Sequence, residues 1–408
     1  MANLFAVIGL GFGDEGKGTL TDWLAAKLGA HTVVRFNGGS QAGHNVTLDN
    51  GTHHCFTQFG AGTFAGARTF LSRFMLVNPL ALEAEATHLQ EAGVKDPLSL
   101  VTIDREAIVT TPFHRAANRL REWKRGDWKH GSCGVGIGET VAMSLGQPEL
   151  TLRCGDLQHH RIVRAKLETQ REFFFEEFKE LTRERVSDLV VADALKTLAF
   201  SHRFEEVFER FTGLGVRMSD RIVQRSYLDG LIESDKCVIF EGAQGVLLDE
   251  HHGYQPHTTW SDCTFNNASA LCGWRPITKV GVIRTYHTRH GAGPFPTEDP
   301  ELCHEEPHNA LDDWQGMFRQ GHLDLDLLGY AARVARGLDC LALTHLDRMP
   351  RKVCISHGAT PVGTTESPRH RYGIIGSEAA LIETVSGITN CPVRYTSRGP
   401  TRGAKAEL

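Results

Sequence analysis

Leu4-Phe5-Ala6-Val7-Ile8-Gly9-Leu10-Gly11-Phe12-Gly13-Asp14-Glu15-Gly16-Lys17-Gly18 decides the fold. An apolar run feeds directly into a loop with the GxxxxGK spacing of a phosphate cradle, where backbone amides and a lysine face a nucleotide's phosphates. Two features depart from a plain cradle. Gly18 stands where Ser or Thr normally ligates Mg²⁺, and Asp14 and Glu15 place carboxylates inside a loop built for anions. Carboxylates repel phosphate, so Asp14 points to chemistry beside it, as a base, a metal ligand or both. That suggests a nucleotide-using ligase rather than a simple nucleoside triphosphatase.

Outward from the loop, Leu4–Gly9 reads as a buried strand and 19–28 as the helix that follows, with Leu20, Trp23, Leu24 and Leu28 on one face. Residues 31–36 are apolar and β-branched and give the next strand. This is the opening of a doubly wound α/β domain. Helices are expected at 79–92 and 112–123, several more across 165–211, and one at 323–337; strands are expected at 237–241, 279–285 and 340–343. Phe173-Phe174-Phe175 reads as core or interface packing. With no repeat, low-complexity segment or linker, residues 1–408 are expected to form one P-loop-like α/β domain. It would have a large, mainly parallel central sheet and helical insertions near 75–130 and 165–235. The tail 403–408 is expected to fray.

Composition narrows the function. The 408 residues are 41% hydrophobic and 23% charged, ordinary for a globular protein, and the formal net charge of −5 gives no support for nucleic-acid binding. No apolar stretch is long enough to span a bilayer, and the N-terminus does not resemble a signal peptide, so a cytoplasmic protein without membrane contact is expected. The ten cysteines form no CxxC pair and are expected to be reduced. Adjacent histidines such as His53-His54 diverge in helix or strand and rarely share a metal.

In an open α/β sheet, ligands bind at the carboxyl ends of the strands. Four such ends carry unusual loops: the cradle; 37–45, with glycines for close approach and His44 as a candidate general acid; 240–245, followed by Asp249 and Thr258-Thr259; and 288–298. These motifs (GDEGKG, NGGxxAGH, GIG, FEGAQGxLLD, TRxGAGPFPTE and a closing GPxR), in this order, resemble the adenylosuccinate synthetase family. The family joins aspartate to C6 of a purine nucleotide with GTP hydrolysis.

The resemblance implies catalytic roles for Asp14 as base at N1 of the purine, His44 as acid, and Lys17 as stabiliser of the transferring phosphoryl group. Mg²⁺ would be held by Asp14 and the carbonyl of Gly43. The triphosphate would lie against Gly13, Glu15, Gly16, Lys17, Gly18, Gly43, His44, Asn45, His345, Asp347, Ser397 and Gly399. The purine monophosphate would meet Asp14, Gln41, Cys133, Gln244, Leu248 and Thr259, with Gln244 equally readable as a buried amide and Cys133 as a small core residue. Gln315 and Arg319 would face the amino-acid substrate, L-aspartate. The family also implies a homodimer.

The chain departs from the family at three places. The guanine-reading Thr-Lys-Leu-Asp is Thr344-His345-Leu346-Asp347, which favours GTP but leaves ATP or dATP open. The aspartate loop, normally Thr-Thr-Gly before an arginine cluster, is 312–324 here and keeps only Arg319, although bidentate arginine suits a dicarboxylate best. Val135 replaces the arginine of the family's GRGIG, and Gln41 replaces an asparagine. Besides IMP as acceptor, two readings stay open within the class: a branch that uses dGMP to make 2-amino-deoxyadenylosuccinate, and a tailoring ligase on an IMP-like nucleotide. Retention of Asp14 argues for an IMP-like acceptor. A silent GTP-binding switch is the reading from another class. It needs neither base nor acid, whereas Asp14, Lys17 and His44 are all present.

Overall fold

The computed structural model describes residues 3–183, 188–273, 275–306, 309, 314, 316–356, 358–361, 363–364 and 370–408. The opening motif forms as expected: β1 (Leu4–Gly9), the cradle, helix α1 (Lys17–Leu28) and β2 (Thr32–Arg35). β1 alternates between two cores. Ala6 and Ile8 join one cluster with Leu10 and Phe240, while Val7 packs on the opposite side with Leu20 and Leu24 of α1. Burial on both faces is why the run is continuously apolar.

The strands that follow are β3 (His44–Thr47), β4 (His53–Phe56), β5 (Arg68–Leu71), β6 (Val101–Asp104), β7 (Ile222–Val223), β8 (Val238–Gly245), β9 (Thr278–Arg284), β10 (Tyr286–His290), β11 (Phe318–His322), β12 (Cys340–Thr344), β13 (Val393–Ser397) and β14 (Lys405–Glu407). Ten of them make the central sheet, in the order β14-β13-β12-β9-β1-β8-β2-β5-β6-β7. Every pairing is parallel except β13 with β14. β1 sits between β8 and β9, so the loops after these strands converge on the cradle.

Helices α2 (Pro79–Glu91), α3 (Pro112–Arg125), α4 (Ile137–Gly146), α5 (His160–Phe178), α6 (Leu189–Ala199) and α7 (Ser201–Arg217) build a second core beside the β5–β6 side. The phenylalanine run behaves as helical geometry requires: Phe174 is buried, Phe173 is exposed, and Phe175 packs at the edge of that core.

The expectation of a frayed tail is overturned. Residues 405–407 add an antiparallel edge strand, pairing Ser397 with Lys405 and Tyr395 with Glu407. Arg402 reaches back to Asp22 of α1 with two hydrogen bonds of 2.7 and 2.6 Å. A bidentate ion pair with one buried carboxylate and a strand ladder hold the tail in place, and neither is visible in its local composition.

Candidate active site

The cradle solves its own carboxylate problem. Glu15 turns inward and is buried; its Oε1 accepts from the amides of Gly11 (3.0 Å) and Gly13 (2.9 Å), and Lys17 Nζ donates to Oε2 at 2.5 Å. Gly245 makes room for it, because a Cβ there would lie 2.4 Å from that carboxylate. Gly18 has a comparable reason. A Cβ at this position would meet the Cβ of His44 at 2.6 Å, so the serine or threonine of an ordinary cradle is sterically excluded.

His44 opens β3 and is buried. Its Nδ1 lies 2.7 Å from Oε1 of Glu241, a fully buried carboxylate on β8 that also accepts from the amide of Ala61 at 3.0 Å and faces Arg35 at 4.0 Å. Burial opposes ionisation of Glu241, but the His44 contact, Arg35 and the Ala61 amide outweigh it and hold the carboxyl below its ordinary range. Burial pushes the His44 pKa down, and Glu241 opposes that shift. The arrangement fixes the ring with Nδ1 on the carboxylate, and Nε2 has no partner among the described residues.

Asp14 stands on the other side of the loop. Its Oδ2 lies 2.9 Å from His290 Nε2 of β10, and Arg284, a buried arginine on β9, donates to its backbone oxygen at 3.0 Å. Burial raises the Asp14 pKa, but the His290 hydrogen bond together with His290, Arg284 and Lys17 overrides this and lowers it to about 2. Asp14 is therefore a carboxylate at neutral pH, as a base or metal ligand must be. Asp14, Gln244 and His345 all take left-handed backbone, with φ of 59°, 55° and 58°. Such positions cost roughly 1–3 kcal/mol and concentrate at functional sites.

Some of the expected site residues contact this loop directly. Gly13 approaches Gln244, and Gly16 approaches Thr344, whose hydroxyl donates to the Glu15 carbonyl at 2.7 Å. Gln41 and Gln244 each hold a buried amide oxygen without a partner among the described residues, as Ser40 does its hydroxyl. Unsatisfied buried polar atoms are costly, and here they cluster where a polar ligand would satisfy them. Leu248 accepts from the Thr259 amide at 2.8 Å, which ties those two purine-side positions together. Cys133 is half-buried in the loop ahead of α4, Gly43 is exposed, and Asn45 is half-buried with its Oδ1 3.0 Å from His53 Nε2.

Of the residues expected at the triphosphate, His345 lies edge-on to Tyr286 with ring centroids 5.8 Å apart, and burial keeps its pKa well below the ordinary value. Asp347 is exposed beside Arg348 at 3.8 Å. Ser397 donates its hydroxyl to the Gly399 carbonyl at 3.0 Å.

The residues expected at the amino acid stand differently. Gln315 lies outside the described residues. Arg319 donates to Glu298 Oε2 at 2.7 Å and to the Gly293 carbonyl at 2.9 Å, so its guanidinium is partly engaged within the protein. Trp314 lies under the Arg119 guanidinium of α3, 5.2 Å from its ring centre.

Glu241, His290 and Glu298 were quoted in motifs but given no role. Glu241 could have been found: a carboxylate after Val238-Ile239-Phe240 in a buried strand demands a partner. Nothing in the sequence ties His290 to Asp14.

Among the described residues no three His, Cys, Asp or Glu side chains converge on a metal site. A cation here would draw on one carboxylate, backbone oxygen and the ligand's own phosphates, which is how Mg²⁺ is usually bound.

Together these features define a nucleotide-using enzyme of the parallel α/β class. A family profile described as adenylosuccinate synthetase matches residues 6–372. The adenylosuccinate synthetase of Clostridium beijerinckii is 32% identical over 366 residues, covering 86% of this chain and 81% of the relative. Among solved structures, the fully ligated adenylosuccinate synthetase from Plasmodium falciparum superposes with a TM-score of 0.84 at 21% identity, covering all of both chains. The succinoaminodeoxyadenylate synthetase of cyanophage S-2L, bound to dGMP and dATP, gives 0.58 at 18% identity, covering all of this chain and 95% of that one. The chain belongs to the adenylosuccinate synthetase family and is a ligase forming C–N bonds.

Proposed function

We propose that this cleft joins L-aspartate to C6 of IMP at the expense of GTP, giving adenylosuccinate, GDP and phosphate. The observation that carries the reading is the pairing of an ionised Asp14 with a carboxylate-oriented His44 on opposite sides of one phosphate cradle.

Asp14 removes the N1 proton of the purine, which makes O6 the nucleophile. O6 attacks the γ-phosphorus, the bond to the β–γ bridging oxygen breaks, and GDP departs. His44, held by Glu241, and Lys17 stabilise charge as it moves to the leaving phosphate. The aspartate amine then attacks C6, the C6–O bond breaks, and phosphate leaves as the amine loses a proton.

The other roles follow by position. Gln41, Cys133, Gln244, Leu248 and Thr259 line the acceptor, and Gly13, Glu15, Gly16, Gly18 and Asn45 line the triphosphate. His345, Asp347, Ser397 and Gly399 flank its base. Arg319, with Gln315, serves the amino donor. The carboxylate of Asp14 and the carbonyl of the exposed Gly43 would hold Mg²⁺. When bound, the ion would neutralise charge developing on the transferring phosphate.

We read residues 1–408 as one domain acting as a homodimer in the cytoplasm. No helix among the described residues is long and apolar enough to cross a membrane. Retention of Asp14 favours an IMP-like acceptor over dGMP.

The test is a grid of IMP, dIMP, GMP and dGMP, each with aspartate, Mg²⁺ and GTP or ATP, with mass spectrometry of the product. Adenylosuccinate formed from IMP, aspartate and GTP is expected. Turnover confined to dGMP, or GTP hydrolysis that needs neither IMP nor aspartate, would contradict the reading.

A further inference from the structure

The C-terminal strand contains an unusual buried cation. Lys405 on β14 is 9% exposed, and its ammonium donates to three successive carbonyls of one loop: Gly399 at 3.3 Å, Pro400 at 3.2 Å and Thr401 at 2.8 Å. The same loop is closed from the backbone side, where the Arg398 amide donates to the Ala404 carbonyl at 2.8 Å. The Gly399 carbonyl accepts from both Lys405 and Ser397. Arg402 anchors the turn to α1 through Asp22, and α1 begins at the phosphate cradle.

Lysines are rarely buried without a carboxylate partner, and here the nearest polar atoms are backbone oxygens. Three carbonyls held on one ammonium fix the orientation of their peptide units. The geometry points to Lys405 as a positioning residue that sets the conformation of the loop 397–401 and so the affinity for the base of the triphosphate. This rests on the reading above that Ser397 and Gly399 flank that base.

The groups facing the ammonium from neighbouring elements are Asp22 of α1, Asp49 of the β3–β4 turn and Arg402. Burial lowers the Lys405 pKa to about 8, against the pull of Asp22 and Asp49. The charged form is thus present at neutral pH and is lost as pH rises through that value. Affinity for the triphosphate's base should fall over the same range.

The experiment is equilibrium titration of the full chain with a fluorescent GDP analogue, and separately with IMP, from pH 7 to 9. In Lys405→Met the GDP dissociation constant is expected to rise by about tenfold, the value of losing a charged hydrogen-bonding anchor. IMP affinity should stay within about twofold. In the unmodified protein, GDP affinity should weaken above pH 8 while IMP affinity holds, and Lys405→Met should lack that pH dependence. Lys405→Arg, which keeps the charge, should restore part of the loss. Equal GDP binding by the unmodified and Met proteins would overturn the inference, as would equal weakening of GDP and IMP. If the unmodified protein binds IMP but no guanine nucleotide at any pH, the assignment of the base site falls, and this inference with it.

Discussion

The two halves of the cleft are built differently. On the proposed phosphoryl-transfer side, each working group has its own partner: His44 has the buried Glu241, Lys17 has the buried Glu15, and Asp14 has the half-buried His290. On the proposed amino-donor side, Arg319 is shared with Glu298 and a carbonyl and lies over the Phe295 ring, while Trp314 packs under Arg119 of α3. The difference teaches that the two chemical steps rest on separate supports. The first half has the preorganised charges that the proposed O6 phosphorylation needs, whereas on the second Arg319 must exchange partners to hold a dicarboxylate.

Substitutions should separate these halves. Asp14→Asn removes the base and should lower kcat by about 10³ or more, with GDP affinity changed little, in a phosphate-release assay. Glu241→Gln keeps the shape but not the charge that orients His44; kcat should fall by about 10². A fall of less than threefold would show that His44 does not depend on it. Arg319→Ala should raise the KM for aspartate by about tenfold and leave the KM for IMP within about twofold, because only the donor loses a cation. A comparable rise for IMP would merge the two halves. Trp314→Ala removes one cation–π contact worth about 0.5–1 kcal/mol, so the KM for aspartate should shift by only about threefold.

Much of the first half was legible in the sequence. GxxxxGK after an apolar run gave β1, the cradle and α1, and the glycine-rich segments at other strand ends converge on that cradle. The supporting pairs were not legible, since His44 and Glu241 are 197 residues apart and His290 and Asp14 are 276 apart. Sequence shows a charge in a buried strand but not which distant charge balances it. The tail misled for a similar reason. Its short polar run reads as fraying, whereas Arg402 and Lys405 find partners on α1 and in the preceding loop. Arg319 stands out in the sequence as the one survivor of a cluster, but its engagement with Glu298 depends on the bridge that Glu298 makes to Gly321 of β11.

The most direct measurement is positional isotope exchange in GTP labelled with ¹⁸O at the β–γ bridge, with IMP and Mg²⁺ but no amino donor. It should be run on the unmodified protein and on Arg319→Ala. If the phosphoryl-transfer half works on its own supports, reversible transfer to O6 frees the β-phosphate of GDP to rotate. The label should then scramble into non-bridging positions at similar rates in both proteins. Scrambling that requires aspartate, or that disappears in Arg319→Ala, would contradict the account.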